Sequence, residues 1–82
     1  MSSVRVLLFA TLRQLVGAKA IEVEIPDGMN VGAFKEKVGR DFPALQQSMG
    51  TVLIAINREF AFDDAIVPAG GEIALFPPVS GG

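Results

Sequence analysis

The sequence predicts a single α+β domain in which one main helix packs across a mixed β-sheet. Three observations favour this class. A chain of 82 residues can build one small core but not two. Residues 20–26 alternate apolar and polar side chains, as a half-buried strand does. Residues 31–42 carry an apolar stripe at helical spacing, directly after the good N-cap residue Asn30.

The N-terminal residues predict a strand followed by a short helix. The strand covers residues 4–10 and is apolar on both faces. The helix, residues 11–17 (TLRQLVG), ends at Gly17, a helix stop signal. Its apolar side chains at helical spacing are Leu12, Leu15 and Val16. In the strand, Val4, Val6 and Leu8 share one face, and Arg5, Leu7 and Phe9 share the other.

A second strand and the main helix follow. The strand covers residues 20–26, and antiparallel pairing with the first strand is one arrangement that the sequence leaves open. The main helix begins after Asn30 and is ended by Pro43. On its polar face, the spacing of Glu36 and Arg40 suits a weak surface ion pair, although a solvated face is the simpler interpretation. Inward-facing residues of the two elements are Ile21, Val23 and Ile25, then Val31, Phe34, Val38 and Phe42.

The C-terminal half predicts a loop and the remaining strands. Residues 44–50 form the loop, and residues 51–57, apolar on both faces, predict a central strand. Residues 58–71 supply turns and a short strand, and residues 72–76 form the last strand. This order of elements is typical of β-grasp, ubiquitin-like domains, although other small α+β folds share it.

Composition excludes several functions. The 7 basic and 9 acidic residues are scattered, so nucleic-acid binding is not indicated. Apolar runs are far shorter than the roughly 20 residues that cross a bilayer, and no leader or cysteine is present, so we expect a soluble cytoplasmic protein. Without His or Cys, unaided catalysis and metal binding are not expected. Without a phosphate-binding glycine loop, neither is an intrinsic nucleotide or cofactor site.

Two clusters look like sites but are better interpreted as turns. Asp63 and Asp64 are adjacent, and adjacent side chains in an extended segment point in opposite directions. Gly70 and Gly71 precede the last strand, where a tight reversal requires a positive φ.

Three phenylalanines predict a partner-binding surface. Phe9, Phe60 and Phe76 all lie off the core side of the predicted strands. An exposed apolar sheet face with aromatic anchors is typical of a docking site on a small protein. A second, minor core under the loops is the alternative.

The last residues predict an extended, flexible tail, residues 77–82, beyond a domain of residues 1–76. Pro77–Pro78 favours a segment that neither folds as helix nor pairs fully in a sheet. Gly81–Gly82 lacks Cβ atoms, so it can enter a narrow channel and leave the terminal carbonyl open to attack. A frayed terminus fits the pattern equally well.

The sequence resembles the MoaD family, the small subunits of molybdopterin synthase. The closing LFPPVSGG, with AIN and GGEIALF before it, resembles the end of those proteins. The opening VRVLLFATLRQLVG resembles their first strand and helix, so the resemblance spans nearly the whole chain. A bare Gly-Gly ending would also be shared by ubiquitin-like proteins and by the thiamine sulfur carrier.

The resemblance implies a sulfur carrier that is a cosubstrate and not an enzyme by itself. In that family a MoeB-like adenylating enzyme uses ATP to convert the terminal carboxylate, here that of Gly82, into an acyl-adenylate. A sulfur donor protein then yields a thiocarboxylate. The MoaE-like large subunit supplies the pocket in which sulfur passes to cyclic pyranopterin monophosphate.

The resemblance also implies contact residues. The docking residues match Phe9, Phe60 and Phe76, and the inserted segment matches Pro77, Pro78, Val79, Ser80, Gly81 and Gly82. Arg13 matches a basic position of the short helix, for which a simple surface role is the alternative. A carrier for thiamine synthesis or tRNA thiolation, a ubiquitin-like protein modifier and a simple binding module remain open.

Overall fold

The computed structural model describes residues 2–78 of the chain. In chain order the elements are β1 (Ser2–Leu8), α1 (Thr11–Val16), β2 (Ala20–Ile25), α2 (Val31–Asp41), a 3₁₀ helix (Pro43–Gly50), β3 (Leu53–Ile56), β4 (Glu59–Ala61) and β5 (Glu72–Phe76). No helix among these residues is long and apolar enough to cross a membrane.

The strands form one mixed five-stranded sheet in the order β2-β1-β5-β3-β4. β1 pairs antiparallel with β2 and parallel with β5. The antiparallel pairing is the arrangement of the first two strands that the sequence had left open. β3 pairs antiparallel with both β5 and β4. The middle strand is therefore β5, and β3, within the residues 51–57 that predicted a central strand, is an inner strand one position from the middle and paired on both sides. β5 is covered on both faces, since three consecutive residues, Ile73, Ala74 and Leu75, are buried.

One face of the sheet carries the core, and α2 packs across it. The side chain of Phe34 in α2 is completely buried, together with alternate residues of β1 and β2. Burying side chains of this size contributes about 1.5–3 kcal/mol each, so this face supplies most of the stability. The predicted inward residues of β1 and β2 are confirmed: Val4, Val6, Leu8, Ile21, Val23 and Ile25.

The first N–H groups of α2 find partners across the fold. The side chain of Asn30 accepts from the N–H of Ala33 at 2.8 Å, which confirms the predicted N-cap. The N–H of Val31 donates to the carbonyl of Ala65 at 2.8 Å, and that of Gly32 to the carbonyl of Asp63 at 3.1 Å. The segment around Asp63 is thus a turn that caps the helix, as the turn interpretation required.

The predicted loop at residues 44–50 is instead a 3₁₀ helix, Pro43–Gly50. Proline occupies its first turn, where the missing N–H costs nothing. Leu45 and Met49 on this helix are both buried in the core. Three polar residues separate Leu45 from Met49, so this segment shows no run of apolar residues from which a helix could be predicted.

Leu15 is half exposed, because the six-residue α1 buries only Leu12. The ion pairs recorded for α2 within residues 2–78 are Lys37–Asp41 at 3.0 Å and Lys35–Asp63 at 2.7 Å. Glu36 and Arg40 are both exposed and are not among these pairs, in agreement with the simpler interpretation of a solvated face.

Candidate functional site

The face of the sheet opposite α2 carries an apolar region, called here the outer face, whereas Glu22 and Glu24 of β2 make the edge of that face charged. Its residues form two rows across the strands. In the first row Leu7 pairs with Ala74, Ala74 with Ala55, and Ala55 with Phe60. In the second row Phe76 pairs with Leu53. The outer face is defined by Leu7, Phe9, Leu53, Ala55, Phe60, Ala74 and Phe76.

Three phenylalanine rings form one cluster on the outer face. The rings of Phe9 and Phe76 are stacked, with centroids 4.7 Å apart and planes 10° apart. The ring of Phe60 meets that of Phe76 edge to face at 6.3 Å. Phe76 is half-buried between its neighbours, whereas Phe9 is 41% and Phe60 69% exposed. The prediction that all three lie off the core side is confirmed, and together they expose more aromatic surface than isolated side chains would.

A depression lies beside the rings. It has a volume of about 280 Å³, and short alanine side chains, Ala55 and Ala74, form its floor. Arg58 and Glu72 line its rim, with Arg58 Nε 3.8 Å from the carboxylate of Glu72. Protein–protein interfaces typically have this arrangement, an apolar and aromatic centre surrounded by a charged rim.

Two exposed apolar residues near Phe60 were not identified from the sequence. Phe62 is 80% exposed, and Leu53 is exposed beside it. With Phe60 they line a second depression of about 730 Å³. The signal was available in the sequence, since Phe60 and Phe62 are two residues apart and so share a face of an extended strand.

Of the remaining predicted site residues, the structure describes Pro77, Pro78 and Arg13. Pro77 is half-buried and Pro78 exposed, directly after Phe76 in the cluster. Arg13 is exposed on α1, and its role stays a prediction. The other predicted tail residues, Val79, Ser80, Gly81 and Gly82, lie outside the described residues.

The outer face suits binding through apolar contact. Within residues 2–78, no group of three or more acidic side chains is arranged to hold a metal ion. The one acidic pair that resembled a site, Asp63 and Asp64, belongs to the turn that caps α2, and the carboxylate of Asp63 is bound by Lys35. The chemistry that these residues offer is therefore recognition by aromatic side chains.

A mixed five-stranded sheet with α2 across one face and a free aromatic outer face defines a ubiquitin-like β-grasp protein. The chain belongs to the ThiS family, whose model matches residues 6–82. The molybdopterin synthase sulfur carrier subunit of Haemophilus influenzae is 40% identical over 94% of this chain and 96% of its own. The resemblance to the MoaD family is thereby confirmed.

Two solved structures share the fold. Small archaeal modifier protein 1 of Haloferax volcanii superposes with a TM-score of 0.84 at 28% identity, covering 96% of this chain and all of its own. The complex of subunits 1 and 2 of molybdopterin-converting factor from Helicobacter pylori contains a chain that matches with a TM-score of 0.66. That chain is 21% identical, covers 98% of this chain and 99% of its own, and its likeness concerns the fold alone.

Proposed function

We propose that this chain is a sulfur carrier of molybdenum cofactor biosynthesis, the small subunit that donates sulfur within molybdopterin synthase. Its membership of the ThiS family and its 40% identity to a named sulfur carrier subunit support this function. The observation that carries the proposal is the position of Phe76, which joins the aromatic cluster and directly precedes the proline pair. A partner bound at the outer face therefore lies close to the start of residues 77–82.

The proposed division of labour gives each part of the chain one task. The aromatic cluster docks on a MoaE-like large subunit, and residues 77–82 enter its pocket. The same cluster docks on a MoeB-like adenylating enzyme, so the two partners compete for it. The carboxyl group of Gly82 carries the sulfur, while ATP and the sulfur donor protein act from outside this chain.

The chemistry requires activation because a carboxylate is a poor electrophile. The carboxylate of Gly82 attacks the α-phosphate of ATP on the adenylating enzyme, pyrophosphate leaves, and an acyl-adenylate results. Sulfur from a persulfide then displaces AMP, and reduction of the acyl disulfide so formed releases the thiocarboxylate. Within the large subunit this thiocarboxylate transfers its sulfur to cyclic pyranopterin monophosphate. The chain acts as a sulfurtransferase cosubstrate, with no catalytic side chain of its own.

Intact-mass measurement tests this proposal. The chain is incubated with the adenylating enzyme, ATP, a persulfide donor and a reductant, and we expect one oxygen to be replaced by sulfur. Addition of the large subunit and cyclic pyranopterin monophosphate should return the original mass. An unchanged mass, under conditions that load a known carrier, would overturn the proposal. Transfer to a thiazole precursor or to tRNA instead would assign the carrier to thiamine synthesis or tRNA thiolation.

A ubiquitin-like modifier is the second candidate, favoured by the likeness to small archaeal modifier protein 1. In that case the carboxyl group of Gly82 would form an amide bond with lysine side chains of other proteins. Digests of cells that express the tagged chain would then contain branched peptides that end in its last residues. Loading with sulfur in the absence of such peptides would leave the carrier function.

A further inference from the structure

The two edges of the sheet differ in how they resist pairing with another strand. β2, at one edge, exposes Glu22 and Glu24. Two copies of β2 paired antiparallel about Val23 would place Glu22 of each copy opposite Glu24 of the other, and facing like charges oppose such pairing. This edge is protected by its charges.

The other edge, β4, is surrounded by exposed apolar side chains. Phe60 is 69% exposed, Phe62 80% and Ile66 56%, and these are the three most exposed large apolar side chains that the structure records. Patches of this kind on a small protein mark sites of association. β4 therefore has the surface that β2 lacks.

The backbone of Phe60 faces the open edge. The N–H of Asn57 donates to the carbonyl of Glu72 at the start of β5. The backbone N–H and C=O groups of the odd-numbered residues of β3 therefore point toward β5. The backbone N–H and C=O groups of Ile56 and Ile54 point the other way, toward β4, where these residues pair with Glu59 and Ala61. Phe60, between these two partners, directs its N–H and C=O away from β3, and among the described residues neither group has a recorded partner.

One set of charges along this edge is complementary to itself, whereas Glu59, adjacent to Phe60, has its side chain on the opposite face of the strand. Arg58 lies two residues before Phe60, and Asp63 and Asp64 lie after it. Antiparallel pairing about Phe60 places Arg58 of one copy opposite Phe62 of the other. Asp64 of that other copy lines the same surface depression as its Phe60 and Phe62, so it lies near this position. Within its own chain Arg58 approaches Glu72 only at 3.8 Å and its side chain is 88% exposed, so it can turn to a second copy. Asp63 is bound by Lys35 at 2.7 Å, so Asp64 is the carboxylate that we assign to Arg58 of the second copy.

We propose that two copies of this chain pair antiparallel through β4, centred on Phe60, and join their two sheets into one. The N–H of each Phe60 donates to the C=O of the other, and two Arg58–Asp64 contacts flank this pair. The contact is small, so the dimer is weak and forms reversibly as concentration rises. The proposal concerns the chain alone and does not depend on the proposed function.

Charge reversal tests the pairing by sedimentation of the purified chain, at concentrations up to the order of 1 mM. We expect Arg58→Asp and Asp64→Arg each to lower the association constant by about tenfold or more, since both contacts become repulsive. An equal mixture of the two variants should associate again, because both contacts become attractive between unlike copies. Lys19→Asp, at the opposite edge, is the matched control and should not change the association.

A second readout locates the contact. In the unchanged chain, the amide proton of Phe60 should exchange more slowly as concentration rises, whereas amides of β2 should not respond. A chain that stays monomeric at the highest concentration would overturn the proposal. So would a dimer that both reversals leave intact, or one whose protection appears along β2.

Discussion

Asn57 binds the first residue of β5, Glu72, through two hydrogen bonds. Its N–H donates to the carbonyl of Glu72 at 2.7 Å, and its side-chain Oδ1 accepts from the N–H of Glu72 at 2.9 Å. Asn57 and Arg58 both have positive φ, 51° and 71°, as a tight two-residue hairpin turn requires. The turn between β3 and β4 thus also extends the pairing of β3 with the central strand, and it holds one side of the outer face in place.

Replacing Asn57 separates the two roles of this residue. We expect Asn57→Ala to lower the free energy of unfolding by about 2 kcal/mol, roughly half from the lost side-chain hydrogen bond and half from left-handed strain. Asn57→Gly should cost only about 1 kcal/mol, because glycine adopts this conformation freely. Urea unfolding of the two variants measures the difference. Equal losses would show that backbone strain contributes nothing at this turn.

Removing the central ring of the aromatic cluster should weaken docking. We expect Phe76→Ala to reduce affinity for the large synthase subunit by about 2 kcal/mol, roughly thirtyfold, since Phe76 contacts both other rings. Leu15→Ala is the matched control, because Leu15 is an exposed apolar residue of α1. Titration calorimetry measures both affinities. If the two variants lost similar amounts of affinity, the interface would not be centred on the aromatic cluster.

The turn before β5 has no room for a side chain at Gly71. An ideal Cβ there would lie 2.5 Å from Cγ of Pro68, whose carbonyl accepts from the N–H of Gly71 at 3.2 Å. We expect Gly71→Ala to destabilise the domain by about 1–3 kcal/mol through overpacking. Gly50→Ala, with nothing within 4 Å of its Cβ, should stay within about 0.5 kcal/mol. Thermal unfolding compares the two, and a stable Gly71→Ala variant would contradict the close contact.

Deleting Gly82 should separate activity from stability. We expect sulfur loading to be lost, because the adenylating enzyme no longer finds its carboxyl group where the proposal requires it. Stability should change by less than about 0.5 kcal/mol, because Leu75 is the last core residue that the structure describes. Mass spectrometry and thermal unfolding of the same preparation provide the two measurements. Normal loading of the shortened chain would favour a binding module whose last residue is irrelevant.

The sequence by itself determined the features that neighbouring residues encode. Alternation assigned the inward side chains of β1 and β2, Asn30 marked the start of α2, and Gly17 marked the end of α1 in a left-handed conformation. Each of these rules depends only on residues that lie a few positions apart in the sequence. Alternation also put Phe9 and Phe76 off the core side, and the polar residues before Phe60 put it there as well, although neither pattern showed that the rings touch.

Only the tertiary structure decided how distant segments meet. The parallel pairing of β1 with β5 places β5 at the centre and brings Phe9 against Phe76, which is 67 positions later (76 − 9). The carbonyl of Asp63 reaches the N-terminus of α2 for the same reason. Hydrogen-bond register between strands and packing against a shared core are set jointly by many residues, so no local pattern contains them.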